Sequence, residues 1–238
     1  MNPTVARLTL RGLLGRRRGL LLLVAPALLL VVAAIASVSS ADPHDMANNI
    51  LGALGLGTLI PILGLVVGTG VIANEIDDGS IVYLLAKPLP RWRIVTTKLV
   101  VAIGVTWLFS VVPTLLAGLL LVGTQDGVAL GYTVAVLVAG AAYSALFLLL
   151  GVVTRHAVVA GLAYALIWES TVGNFVEGAR TLSIQQWGRS VAEAVAGQNA
   201  ISSDVSLGAA VPLLLVVTVA ATVLASVKLA GMTLAGEE

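Results

Sequence analysis

The chain has 238 residues, of which 58% are hydrophobic and 11% are charged, and its mean hydropathy is +1.04. Soluble domains carry about 25% charged residues, so the composition excludes a globular enzyme surrounded by water. Thirteen basic and twelve acidic residues leave a net charge of +1, which excludes the strongly basic surface of a nucleic-acid-binding protein. The absence of cysteine excludes disulfides and thiolate metal sites. The composition therefore indicates a membrane protein.

Six apolar segments are long enough to be membrane helices, since about 20 helical residues cross roughly 30 Å of hydrocarbon. They occupy residues 19–41, 50–73, 99–122, 128–153, 157–174 and 208–230. A β-barrel would instead show short segments of alternating hydrophobicity. We therefore predict an all-α membrane protein with six transmembrane helices, forming a single transmembrane domain over residues 1–238.

The basic residues predict the orientation, because cytoplasmic loops of membrane proteins are enriched in Lys and Arg. With six spans and a cytoplasmic N-terminus, eleven of the thirteen basic residues fall on the cytoplasmic side. Arg180 and Arg189 alone fall outside. We therefore expect both termini in the cytoplasm and the protein in the cell (plasma) membrane as a multi-pass chain.

Residues 1–18 have the spacing of an amphipathic helix that lies on the inner leaflet. Arg7, Arg11 and Arg18 fall on one face, and apolar side chains spread over the opposite side. Arginines in this position interact with anionic headgroups. A basic flank that only fixes the topology is an equally good interpretation, and the two are compatible.

The cytoplasmic loop of residues 74–98 is the most informative segment. Asp77 or Asp78 can cap a short helix, which Lys87 and Pro88 would end. Three apolar side chains form a stripe on this short helix: Ile81, Leu84 and Leu85. Such a stripe rests on lipid, packs within the chain or docks into a partner's groove, and spacing alone does not decide between these.

This loop resembles the loop between the second and third spans of type-2 ATP-binding-cassette (ABC) exporter permeases. That family has Glu, Gly-Thr, Leu-Leu, Pro, Arg and Lys at similar spacing, and here Ser80 replaces the Thr and keeps its hydroxyl. The residues that carry the resemblance are Glu75, Gly79, Ser80, Leu84, Leu85, Pro88, Arg91, Ile94 and Lys98. The six-span layout and the longer outer segment extend the resemblance over nearly the whole chain.

The resemblance implies that the loop, including Asp77 and Asp78, is a coupling helix that sits on a separate ATPase subunit. The inner turn with Arg155 and His156 would make a second, smaller contact. It further implies an exporter built from this chain, a second permease subunit (homodimer or heterodimer) and two copies of a cytoplasmic ABC ATPase. The sequence has no Gly-x-x-x-x-Gly-Lys-Ser/Thr loop. We therefore expect that the chain is not itself an enzyme and that ATP and Mg bind to the partner.

The segment of residues 173–207 is predicted to be extracellular and to contain short helices. Ser183 and Gln186 have the spacing of a capping box. An apolar face follows, made of Ile184, Trp187, Val191 and Val195. We interpret it as an amphipathic helix at the outer interface with Trp187 as an anchor. A packed extracellular cap is the alternative.

Glu169 is the one acidic residue well inside an apolar segment, about 18 Å along the fifth span. A buried carboxylate is costly unless it is protonated or paired, so it is a functional candidate. It could line the translocation path or the subunit interface, with Arg180 nearby. Alternatively, the span ends at Trp168 and Glu169 is hydrated.

Small residues line one face of the second span at Gly57, Pro61, Gly64 and Gly68. The spacing of Gly64 and Gly68 permits close helix approach, either within the chain or at a dimer seam or translocation face. His44 and His156 are predicted on opposite sides of the membrane, so they cannot share a metal. Two rival functions remain: an ion-coupled secondary carrier, and a non-transporting scaffold that anchors a partner.

Overall fold

The structure is a computed structural model that describes residues 3–13, 15–39, 42–77, 90–172, 181–197 and 200–231. Within these ranges the regular secondary structure is entirely helical. The helices are α1 (Pro3–Leu13), α2 (Arg16–Ser39), α3 (Pro43–Gly70), α4 (Ala73–Asp77), α5 (Arg91–Val122), α6 (Val128–Val153), α7 (residues 157–172), α8 (Ile184–Ala196) and α9 (Leu207–Ala230). The predicted all-α architecture is confirmed for the described residues.

Four helices of the described part are long and apolar enough to cross a membrane. They are Pro43–Gly70, Arg91–Val122, Gln125–Val153 and Leu207–Ala230. Two shorter apolar helices, Leu22–Val38 and Ala157–Glu169, coincide with the first and fifth predicted segments. Length and composition thus support four of the six predicted spans, and the six-span count stays a prediction.

α6 is the central helix of the bundle and packs against α3, α5, α8 and α9. Its buried residues occur on all sides and include many alanines and glycines, with Tyr132, Tyr143 and Phe147 as the large side chains. By contrast, α9 exposes a row of apolar side chains such as Val219, which is 60% exposed. Apolar faces of this kind suit contact with lipid chains.

Close packing between α3 and α6 depends on two glycines. A Cβ atom on Gly68 would lie 2.9 Å from the Cβ of Phe147 and 3.0 Å from the carbonyl oxygen of Ser144. A Cβ on Gly64 would lie 2.9 Å from the Cβ of Tyr143. Close helix packing within the chain therefore explains Gly64 and Gly68. Gly57 instead faces the side chain of Gln185 on α8. A role of these glycines in a translocation path stays a prediction.

α3 and α7 each include a π-helical segment, Ile50–Leu59 and Tyr164–Val172 respectively. In the first of these, the Thr58 hydroxyl donates to the carbonyl of Ala53, five residues earlier. π-helical turns are rare and are often found at functional sites. The first segment contacts α8, and Glu169 in the second accepts a hydrogen bond from the Ile184 amide at the start of α8. The two π-helical segments therefore lie at the same end of the bundle.

The N-terminal helix is shorter than predicted, because α1 ends at Leu13 and α2 begins at Arg16. Gly12 and Gly15 flank this break, and glycine weakens a helix. α1 buries Val5, Thr9 and Leu13 and lies against α5. Arg7 and Arg11 are exposed. Leu8 and Leu10 are also exposed, so the predicted apolar side is divided between protein and surroundings.

The packing of α3 on α6 predicts a difference between two glycine substitutions. Gly68→Ala should lower the thermal stability of the purified protein, because overpacking costs about 1–3 kcal/mol. Gly104→Ala is the matched control, because among the described residues nothing lies within 4 Å of a Cβ at that position. The control should leave the melting temperature unchanged or raise it slightly. Equal melting temperatures for both variants would contradict the packing.

Candidate functional site

The predicted coupling loop begins and ends in described helices. α4 follows α3 after a two-residue turn, and the Ile76 amide donates to the carbonyl of Ile72 at 3.2 Å. Pro90 is the N-cap residue of α5, one position before the helix begins at Arg91. The predicted short helix lies outside the described residues, and so do these predicted site residues: Asp78, Gly79, Ser80, Leu84, Leu85 and Pro88. Asp77 is the last residue of α4.

A buried ion pair joins the two ends of this loop. The side chain of Lys98 on α5 is completely buried, and its Nζ donates to the Oε1 of Glu75 at 2.6 Å. The same Nζ donates to the carbonyl oxygen of Val71 at 2.5 Å. Val71 is the C-cap of α3, where helix carbonyls attract a cation. The ammonium group of Lys98 is therefore satisfied inside the protein.

The ion pair fixes the root of the loop to two long helices. Glu75 lies on α4, Val71 ends α3 and Lys98 lies two turns into α5. Because Lys98 on α5 donates both to Glu75 and to the Val71 carbonyl, it holds α4 against α3 and α5.

The turn predicted as the second contact lies at the same end of the bundle. It follows α6, and both Arg155 and His156 are exposed there. One turn earlier, a Cβ on Gly151 would lie 3.1 Å from the Cγ2 of Ile72 and 3.4 Å from the Cα of Thr69. The C-terminal ends of α3 and α6 are therefore in contact. The structure brings the root of residues 74–98 and the turn of residues 154–156 together.

Basic residues gather at the start of α5. Arg91 is half-buried in the first turn, and the guanidinium of Arg93 lies 5.3 Å from the centre of the Trp92 ring. The first turn holds no acidic residue. Positive side chains at a helix N-terminus oppose the helix dipole, so this patch favours an acidic or anionic surface nearby.

Glu169 is buried and hydrogen-bonded, so the alternative of a hydrated carboxylate does not hold. Its side chain is 1% exposed, and Oε1 accepts from the Tyr164 hydroxyl at 2.9 Å and from the Ile184 amide at 3.1 Å. Oε2 accepts from the Ser183 hydroxyl. Glu169 therefore ties α7 to the N-terminus of α8. Arg180, its predicted neighbour, lies outside the described residues.

α8 begins after Ser183, as predicted, but its Trp187 packs inside the protein instead of at the lipid interface. Ser183 is the N-cap, and its hydroxyl oxygen accepts from the Gln186 amide at 3.3 Å. Trp187 is only 3% exposed, and its indole donates to the carbonyl of Thr181. The prediction of Trp187 as an anchor in the lipid interface is therefore wrong, because Trp187 is buried with Ile184 and Val191 where α8 packs against α3 and α6, and Val195 alone of the predicted face is exposed. The packed cap describes α8 better.

The end of the bundle that carries α8 also carries His44. Its Nε2 lies 3.4 Å from a carboxylate oxygen of Asp126, in the connection between α5 and α6. His156 lies at the other end, in the turn that follows α6. Within the described residues, no group of three or more His, Cys, Asp or Glu side chains could hold a metal ion.

The buried pair predicts an asymmetry between two substitutions. Glu75→Gln should lower the free energy of unfolding by about 2 kcal/mol, because the ammonium of Lys98 stays buried without its acid. This loss is smaller than for a fully buried ion pair, because the Glu75 side chain is 33% exposed and solvent screens the interaction. Lys98→Met should cost less, because Glu75 can hydrate. Thermal denaturation checks this, and the double variant should be more stable than Glu75→Gln alone; equal losses would contradict it.

The contacts of Glu169 predict that Glu169→Gln loosens α8. The amide nitrogen of Gln cannot accept a hydrogen bond, so either the Ile184 amide or the Ser183 hydroxyl loses its acceptor, at about 1–3 kcal/mol. Hydrogen exchange of the first turn of α8 measures the loss directly. Glu193→Gln on the same helix is the control and should leave that exchange unchanged. Unaltered protection in Glu169→Gln would show that the carboxylate does not hold α8.

The comparison with known families agrees with the helical bundle and its inner site. The chain matches the family described as ABC-2 family transporter protein over residues 14–178, which is more than half of its length. The matched residues include α2 to α7 and the segment of residues 74–98, and they stop before α8. No curated protein matches the chain. The chain therefore belongs to the ABC-2 transporter family and is a membrane permease, the non-enzymatic transmembrane component of an ABC transporter.

Proposed function

We propose that the chain is the permease subunit of an ABC exporter and that residues 74–98 and the turn of residues 154–156 contact a separate cytoplasmic ATPase. The observation that carries the proposal is the buried contact of Lys98 with Glu75 and Val71. It gives the loop a rigid root, which a segment that only rests on lipid does not need. Arg155 and His156 lie exposed at the same end, where one partner surface could reach both.

Coupling would proceed as a rigid-body movement. When two ATPase subunits close on ATP, the docked loop moves, and the Glu75–Lys98 pair carries that movement to α3 and α5. α6 follows because Gly68 and Gly151 hold it against α3 without intervening side chains. Tightly packed elements switch between discrete arrangements rather than deforming continuously.

The proposed assembly has two permease subunits, identical or similar, and two ATPases, in the cell (plasma) membrane. Each permease would have six spans, counting α2 and α7 in addition to the four long apolar helices, with both termini in the cytoplasm. The unequal distribution of Lys and Arg supports this orientation. ATP and Mg would bind to the ATPase subunits.

A secondary carrier is less well supported by the same contacts. Ion coupling needs an intramembrane acid that can gain and lose its ion. Glu169 is buried and accepts hydrogen bonds from Tyr164, Ser183 and Ile184. These bonds occupy its carboxylate and hold α8, which argues against a role in binding and releasing a coupling ion.

Co-purification tests the proposal. A tagged chain should bring down an ATP-hydrolysing subunit, and charge reversal at Asp77 and Asp78 (Asp77→Lys with Asp78→Lys) should reduce the recovered ATPase activity at least tenfold. Asp45→Lys is the control, because Asp45 is exposed at the opposite end of the bundle and should have no effect.

Two outcomes would contradict the proposal. One is that no nucleotide-binding subunit accompanies the purified chain. The other is that the Asp77/Asp78 reversal and Asp45→Lys recover the same activity. Substrate transport that persists in vesicles without any ATPase would instead support the secondary carrier.

A further inference from the structure

A groove on the surface of the bundle lies between α1 and α5. Its volume is about 370 Å³, and small-molecule sites have volumes of roughly 300–1,000 Å³. Arg7 is the one charged residue among the described residues that line it. The other lining residues are one glycine and aliphatic side chains, which include Leu10 on α1 and Leu108 on α5. The groove is therefore apolar with a single cationic group.

α1 forms one wall of the groove, and a buried stripe holds this helix in place. Val5, Thr9 and Leu13, each four residues from the next, are buried, and the Thr9 hydroxyl donates to the Val5 carbonyl at 2.9 Å. α1 packs against α5, and a Cβ on Gly70 of α3 would lie 3.2 Å from the Cδ2 of Leu13. The groove is therefore formed by helices that are packed together within the chain.

Gly104 leaves the groove open on the side of α5. It is exposed, and apart from its own helix nothing in the described part of the chain lies within 4 Å of a Cβ at this position. Glycine weakens the interior of a helix, and at Gly104, unlike at Gly68, no neighbouring helix lies close enough to require it. Leu10 and Leu108, which line the same groove, are 42% and 60% exposed. An open apolar notch of this kind suits a hydrocarbon chain.

Positive charge accompanies the apolar lining. Arg7 lines the groove, Arg11 lies one turn further along the same face of α1, and both are exposed. Among the described residues, neither guanidinium has an acidic side chain within 4.0 Å. In the sequence, residues 1–41 contain five arginines and no Asp or Glu. The combination matches a ligand that has a negative headgroup and an apolar tail.

We propose that this groove holds an acyl chain of an anionic phospholipid, whose headgroup binds to Arg7 and Arg11. A guanidinium donates two parallel hydrogen bonds to phosphate oxygens. The α5 side of the groove begins at Val101, two residues after the start of the third predicted apolar segment, where headgroups and hydrocarbon meet. From there the acyl chain follows α5 to Leu108, about 10 Å further along the helix. This site does not depend on the proposed ATPase coupling.

Native mass spectrometry of the purified full chain tests the site, with phosphatidylglycerol or phosphatidylcholine of identical acyl chains titrated into maltoside micelles. Phosphatidylglycerol should bind at least tenfold more tightly than phosphatidylcholine, and glycerol 3-phosphate, which has the charge and no acyl chain, should not bind. Arg7→Gln should weaken phosphatidylglycerol binding about fivefold, which is the contribution of one basic residue near anionic headgroups. Lys228→Gln removes an exposed cation outside the groove and should leave the affinity unchanged.

Gly104→Leu tests the apolar part of the site, because its side chain would occupy the space of the acyl chain. It should weaken phosphatidylglycerol binding at least fivefold and leave the melting temperature without lipid unchanged or higher, since leucine is the better helix former. Gly208→Leu on α9 is the matched control, because this glycine is also exposed, helical and without described neighbours within 4 Å of a Cβ. It lies outside the groove and should bind phosphatidylglycerol as the wild type does.

Thermal denaturation gives a second readout. Phosphatidylglycerol should raise the melting temperature of the wild type by mass action and should have a smaller effect on Gly104→Leu. Equal affinities for the two lipids, or wild-type affinity of Arg7→Gln for phosphatidylglycerol, would overturn the proposal. Weaker binding by Arg7→Gln together with wild-type binding by Gly104→Leu would also overturn it, because α1 would then attract anionic lipid without the groove.

Discussion

Helices in a membrane gain no hydrophobic free energy when they exchange lipid contacts for contacts with one another. This fold therefore depends on how closely its helices can pack. α6 is where that packing is concentrated. Gly64 and Gly68 let α3 approach the backbone of α6, and Gly151 on α6 lets the inner end of α3 lie against it. Gly188 of α8 repeats the arrangement at the other end, where a Cβ would meet Leu56 of α3 at 3.0 Å. Because the contacts of Gly64 and Gly68 involve Cβ or backbone atoms of α6, α3 and α6 have little freedom to slide past each other.

Polar contacts then connect this packed centre to the segments at its two ends. At the end of the bundle that carries α4, Lys98 donates to Glu75 and to the carbonyl of Val71. At the opposite end, Glu169 accepts from the Ser183 hydroxyl and the Ile184 amide. Each contact places a charged group where water is largely excluded, so each is stable only while its partners stay in place. The bundle therefore holds α4 and α8 in defined positions.

Hydropathy predicted the helical class and the positions of the long apolar helices, because a lipid-exposed helix must be apolar along its length. Capping chemistry predicted the start of α8 at Ser183, since that signal is local. The pairing of Glu75 with Lys98 was not predicted, because it depends on how α4 folds back between two spans. The burial of Trp187 was not predicted either, since an apolar stripe that faces protein and one that faces lipid have the same sequence pattern. The π-helical turns around Glu169 have no local sequence signal that we recognise.

We expect the end of the bundle with Glu75, Arg155 and His156 to face the cytosol, where an ATPase can reach it. The chain has no cysteine, so one introduced cysteine is a unique reporter. Labelling of Arg155→Cys and Asp126→Cys in intact cells with a membrane-impermeant maleimide is the most direct measurement. The account predicts that Asp126→Cys reacts in intact cells and that Arg155→Cys reacts only after the membrane is permeabilised. The opposite pattern would contradict it.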